Sequence, residues 1–160
     1  MRKGIPLFLV QHHEGDNDAP SGLAKIFTRS LRLPFVFNIK KGSRDWEIIP
    51  ELHEACANFG GLHADFFLNK TGASALFGTE LLGHLRHFAT GAVIVCGSLT
   101  NICVSSTVRG LANHGFAVFV IPDCSSTCDE GLEKHSLDSL VEWSLARVIP
   151  HKEIVNSDVH

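Results

Sequence analysis

Two short apolar runs, AVIVC at 92–96 and FAVFVI at 116–121, bracket a segment of helical periodicity. No other feature constrains the fold as strongly, because parallel strands require a long crossover, usually a helix. Val104, Val108, Leu111 and Ala112 recur at the spacing of that helix, and Gly115 supplies its stop. The first run has the apolar continuity of a parallel strand covered on both faces, and Gly97 ends it. Cys103 then falls in the first turn of the helix, at the carboxyl end of a strand, where open α/β sheets bind ligands. Unpaired N–H groups and the positive end of the helix favour a thiolate there. An inert, buried core cysteine is the commoner fate of a single Cys, and position alone leaves both readings open.

The remaining chain keeps the alternation. Ile5–Gln11 reads as a strand, followed by an acidic loop over 14–20. Ser21 is placed to cap a helix carrying Leu23, Ile26, Phe27 and Leu31, stopped by Pro34, and Phe35–Ile39 is ambiguous. Trp46–Phe59 reads as helical turns interrupted by Pro50, and His63–Asn69 as a strand ending at Lys70. Thr71–Gly78 is a loop of small residues, after which Thr79 caps a helix with Leu81, Leu82, Leu85 and Phe88 on its apolar side. The strand at 116–121 ends at Pro122–Asp123; Glu130–Leu145 is a helix and Arg147–Ile149 an edge strand. Strands alternating with helices predict an α/β fold: a doubly wound, mostly parallel sheet with helices on both faces. At 160 residues the expectation is a single domain over 1–160.

Composition excludes several classes. A formal charge of −3 argues against a nucleic-acid footprint or an anionic membrane surface as partner. No run approaches the roughly 20 apolar residues of a membrane span. The apolar part of MRKGIPLFLVQHH is too short for a signal peptide and lacks a small-residue cleavage site, so a cytoplasmic location is expected. Five scattered cysteines fit a reducing compartment better than a disulfide framework, and the Cys124–Cys128 spacing matches neither redox nor zinc signatures. His12 and His13, adjacent on a strand, point to opposite faces, and His84 with His87 has no HExxH-type arrangement, so no metal is expected. No G-x-G-x-x-G follows a strand, which disfavours a nucleotide-binding domain, and no cofactor is expected.

Three segments together resemble the isochorismatase-like cysteine hydrolase superfamily, which includes nicotinamidases, N-carbamoylsarcosine amidohydrolase and ureidoacrylate amidohydrolase. They are FLNKTGASALFGT at 67–79, GSLTNICV at 97–104, and VIPD at 120–123 with His135 downstream. GSRDWEI at 42–48 is similar to the turn before the family's substrate-side helix, and the likeness runs from about residue 4 to residue 149. The resemblance implies Cys103 as nucleophile and Lys70 as the cationic member of a Cys–Lys–Asp triad. It also implies an oxyanion hole of backbone N–H groups at Leu99 and Cys103, and a cis peptide between Ser98 and Leu99. Leu76, Trp46 and Asn101 are expected to line the pocket of a small-molecule substrate, and a homo-oligomer is expected by the same resemblance. The implied activity is hydrolysis of a small amide or ureido compound. Cys103 favours this over vinyl-ether cleavage, because true isochorismatases lack the cysteine.

The pattern departs from the family at one point. The family's catalytic Asp ends an N-terminal strand, whereas IPLFLVQHH matches the family's second strand. Asp16, Asp18, Asp45 and Asp65 lie in no matching motif, so no aspartate is carried over. The expectation is a shortened chain: its remaining strands close up, a partner chain fills the gap, or the chain is a truncated product. A catalytically inactive relative serving as an assembly or interaction subunit is the alternative.

Overall fold

In the computed structural model, described over residues 6–13, 39–58 and 67–156, the chain divides into two compact units after Gly72. The helix expected after Ser21, residues 35–38 of the segment Phe35–Ile39, and Asp16, Asp18 and Asp65 lie outside the described residues.

The first unit contains a parallel pair, β1 (Leu9–His12) and β2 (Phe67–Lys70), in the register Leu9↔Phe67 to His12↔Lys70. Paired residues of a parallel ladder share a face. Leu68 and Lys70 are buried while Phe67 and Asn69 are exposed, so Val10 and His12 sit on the buried side. Helix α1 (Pro50–Asn58) begins at Pro50 rather than being interrupted by it. Proline fits this first position, where its missing N–H leaves no helical bond unmade and its fixed φ suits the turn.

The second unit carries a three-stranded parallel sheet in the order β3 (Ala92–Ser98), β4 (Ala117–Ser126), β5 (Arg147–Val148). Helices α2 (Leu81–His87), α3 (Ser105–Asn113), α4 (Glu130–Glu142) and α5 (His151–Asn156) surround it in sequence. Val104, Val108, Leu111, Val118, Val120 and Leu140 are buried and form the core where α3 meets β4 and α4. Gly115 adopts φ +85° just past α3. There the Phe116 N–H reaches the Leu111 carbonyl at 3.2 Å and the Gly115 N–H reaches Ala112 at 2.9 Å. This pair of bonds closes a helix end through a left-handed residue, a conformation glycine adopts without a Cβ penalty. Asp129 caps α4 by accepting the Leu132 N–H at 2.8 Å, with Glu130 and Glu133 set against the positive end of the helix.

Several further expectations change, among them the end of β4, which runs through Pro122 and Asp123 to Ser126. Gly97 does not end β3; the strand bulges between Val95 and Gly97 and continues to Ser98, with Gly97 at φ +128° supplying the bend. The strand is not covered on both faces either. Its residues alternate, with Ala92, Ile94, Cys96 and Ser98 exposed, as suits a strand that pairs only with β4 among the described residues. Phe88 leaves the apolar side of α2, because the helix stops at His87 and Ala89 turns left-handed, leaving Phe88 exposed. No helix among the described residues is long and apolar enough to cross a membrane.

Candidate active site

Cys103 is held by the second unit. At the end of β3 the Ser98–Leu99 peptide is cis, and Thr100–Val104 then winds as a π-type turn before α3 begins at Ser105. Cys103 therefore stands one turn ahead of the α-helix, rather than in its first turn. The Leu99 carbonyl closes this turn, accepting the Ile102 N–H and the Val104 N–H, each at 3.1 Å. A reach of five residues is the π spacing, which widens the backbone by one residue where function often needs a side chain displaced.

Side chains fix the turn from three directions. The Thr107 hydroxyl donates to the Cys103 carbonyl at 2.7 Å and accepts the Ala75 N–H at 2.9 Å, tying the loop of small residues to the cysteine turn. Thr100 is fully buried and donates to Glu133 of α4 at 3.1 Å. Thr127 donates to the Asn101 side-chain oxygen at 2.6 Å. The loop lies directly on α3: a Cβ on Gly110 would stand 2.9 Å from Leu76 Cδ1. Only glycine leaves room for Leu76 in that position.

The flanking strand ends are joined as well. Ser98 and Ser126 share a hydrogen bond of 2.9 Å between their hydroxyls, and Ser125 donates to the Ile121 carbonyl at 2.8 Å. Cys96, Cys103, Cys124 and Cys128 form no disulfide, and Cys103 is half-buried. Cys96 is exposed as a residue, yet desolvation around its sulfur, with Cys124 nearby, pushes the thiol above the ordinary cysteine range. Asp123, exposed on β4, accepts the His151 backbone N–H at 3.0 Å and bonds the His151 ring, so it caps α5. The imidazole beside it holds the Asp123 carboxyl below the usual range.

Lys70 belongs to the first unit, at the carboxyl end of β2. It is 5% exposed, and its ammonium donates to the Gly72 carbonyl at 2.8 Å. Its own carbonyl accepts the His13 N–H at 3.0 Å, extending the ladder past His12. A lysine so far removed from water departs from the usual solvated strand-end lysine. Trp46 is half-buried in the turn before α1; its carbonyl accepts from the Gln11 amide at 2.7 Å, fastening that turn to β1. Asp45 lies exposed in the same turn. Among the described residues no three His, Cys, Asp or Glu gather as a metal site.

The structure thus groups Ser98, Leu99, Asn101, Cys103 and Leu76 in one unit and Lys70 with Trp46 in the other. Sequence reasoning missed Thr100, Thr107 and Thr127, whose hydroxyls hold the cysteine turn in place. Thr107 carried a readable signal: a threonine four residues after Cys103 can bond the cysteine carbonyl within one helical turn.

The family model described as the isochorismatase domain matches residues 1–153. Nicotinamidase 3 of Arabidopsis thaliana is 32% identical over 139 residues, covering 87% of this chain. This chain spans 64% of the length of that relative, just under two thirds. An isochorismatase-like hydrolase from Alkaliphilus metalliredigens superimposes with a TM-score of 0.74 at 22% identity, covering 98% of this chain and 76% of that one. A pyrazinamidase/nicotinamidase from Streptococcus mutans gives 0.73 at 20% identity, covering 90% and 75% respectively. Likenesses at such identities establish the fold alone.

Proposed function

Because this chain belongs to the isochorismatase domain family, we propose that it hydrolyses the C–N bond of a small amide or ureido compound, with Cys103 as nucleophile. The observation that carries this reading is the turn after β3. A cysteine is lifted out of the α-helix by a π-type turn and braced through its own carbonyl by Thr107. A core cysteine requires no such mounting.

In the proposed reaction the Cys103 sulfur attacks the carbonyl carbon and the C–N bond breaks. The thiol proton leaves with ammonia or the amine, and water then cleaves the thioester to restore the thiol. Backbone N–H groups at Leu99 and Cys103 are read as the donors to the developing oxyanion. The buried ammonium of Lys70 is read as the cation that offsets negative charge in the transition state. Leu76, Asn101 and Trp46 are read as pocket lining. Similarity to a nicotinamidase supports starting with a primary carboxamide on a flat ring.

The test is ammonia release from nicotinamide and from a panel of small primary amides and ureido compounds, with intact-mass detection of an acyl adduct. Wild-type chain should release ammonia and carry the adduct on Cys103, and Cys103→Ala should abolish both. Equal rates for the two proteins would refute the proposal, as would an adduct on another cysteine.

A further inference from the structure

Ser98 and Ser126 end β3 and β4 with their hydroxyls 2.9 Å apart, so the two side chains share a face of the sheet. Side chains two residues apart on a strand point the same way. Two residues back from each serine stand Cys96 and Cys124, immediately before the paired residues Gly97 and Ser125. Exposure follows the same alternation: both cysteines and both serines are exposed, while Gly97 and Ser125 between them are half-buried. Neighbouring strands lie about 4.8 Å apart, within the roughly 4.4–6.8 Å between α-carbons that a disulfide spans. Opposed side chains on a regular parallel ladder run alongside each other, and the backbone must yield before two sulfurs bond. This ladder is irregular at the cysteines: residues 121–124 stand opposite residue 96 alone, and Gly97 turns at φ +128° beside it. The two thiols also act on each other electrically, since Cys124 helps to hold the Cys96 thiol high.

We propose that Cys96 and Cys124 are a redox pair: on meeting hydrogen peroxide they close to a disulfide across the bulge, fastening the end of β3 that leads into the Cys103 turn to β4. Both are free thiols here, as suits a bond made only under oxidation. The raised Cys96 thiol is a poor first nucleophile, which assigns the first attack to Cys124. The Cys124 thiolate attacks one peroxide oxygen, the O–O bond breaks, and the sulfur becomes a sulfenic acid as hydroxide leaves. That hydroxide takes the Cys96 proton and becomes water. The Cys96 sulfur then attacks the Cys124 sulfur, and the S–O bond breaks. The second hydroxide takes up the proton lost when Cys124 ionised, so two thiols give up two electrons and the peroxide becomes two waters. An excess of a small thiol reverses the closure by exchange.

The test treats the full chain with stoichiometric hydrogen peroxide, blocks the remaining thiols with iodoacetamide, and maps the unreduced digest by mass spectrometry. A peptide carrying Cys96 should be joined to one carrying Cys124, and dithiothreitol should part them. The bond closes a loop of roughly 30 residues, so the urea midpoint of the oxidised chain should rise by roughly 1 M over that of the reduced chain. Cys96→Ser and Cys124→Ala should each abolish the rise, and Cys96→Ser should leave a sulfenic acid on Cys124 that dimedone traps. The link should form equally in Cys103→Ala, so the result stands apart from the amidase reading, and absence of amide hydrolysis refutes the proposed function alone. A bond from Cys124 to Cys128 or Cys103 in place of Cys96 would overturn the proposal. So would recovery of Cys96 and Cys124 both alkylated while other cysteines are oxidised, or an unchanged urea midpoint in the oxidised chain.

Discussion

Replacing Thr107 by valine keeps the shape of the side chain and removes one oxygen. That oxygen has two duties, accepting the Ala75 N–H at 2.9 Å and donating to the Cys103 carbonyl at 2.7 Å. Ala75 is 6% exposed, as is Thr107, so no water can replace the hydroxyl without opening the loop. An orphaned buried N–H costs about 1–3 kcal/mol. The Cys103 carbonyl loses its hydroxyl donor as well, and that net hydrogen bond adds roughly 0.5–1 kcal/mol. The expected destabilisation is about 2–3 kcal/mol, read as a lower urea midpoint at unchanged slope. Thr107→Ser separates the hydroxyl from the methyl. It retains both hydrogen bonds, loses one buried methyl, and should cost about 1 kcal/mol. If the valine variant lies within about 0.5 kcal/mol of wild type, or is more stable than the serine variant, the hydroxyl does not brace the cysteine turn. In amide hydrolysis the valine variant should lower kcat more than it raises KM, since the group displaced is the proposed nucleophile.

Asp129→Ala removes the side chain that caps α4, and thermal melts should show a loss of about 1 kcal/mol. Ser144 sits at φ +52° past the end of α4, so Ser144→Gly should relieve left-handed strain and stabilise the chain by about 0.5–1 kcal/mol in chemical denaturation. Asp123→Asn weakens the cap on α5, and amide exchange should quicken over His151–Asn156 while the core of β4 is unchanged. The folded-state Asp123 carboxyl is held below its ordinary value, so its contribution is complete above the unfolded carboxylate range and fades as pH falls through the lower folded value. Protection of the α5 amides, taken relative to the intrinsic exchange rate at each pH, should therefore fall on acidification in wild type and not in Asp123→Asn.

The strand–crossover–strand unit was legible because hydrophobic period and length distinguish a short buried strand from a helix without tertiary information. Gly115 was legible for a similar reason, since helix ends are satisfied by residues within a few positions of them, while the cap at Asp129 went unread. The candidate site was only partly legible. Cys103 stood out by its place after a strand, but its role and that of Lys70 emerged from a resemblance, and nothing in local periodicity separates a π-type turn from the first turn of an α-helix. The difference is one residue of backbone, decided by which carbonyl the Val104 N–H reaches. Pro50 misled because a proline both breaks a helix interior and begins a helix well, and sequence alone does not say which end is near. His12 was weighed as a metal ligand and set aside, and its pairing with Lys70 was out of view because only its chain neighbours could be considered.

By itself the order of residues fixed the alternation of elements, the parallel sense of the sheet and the strand end at which Cys103 stands. These follow from periodicities of about two and 3.6 residues, which each stretch of chain carries within itself. The tertiary structure alone decided that Thr107 joins residues 75 and 103, that Thr100 meets Glu133, and that His12 pairs with Lys70 in the ladder of β1 and β2. Each of these joins groups far apart in sequence, some 30 to 60 positions in most cases. A hydroxyl finds such a partner only after burial has removed water as the competing one.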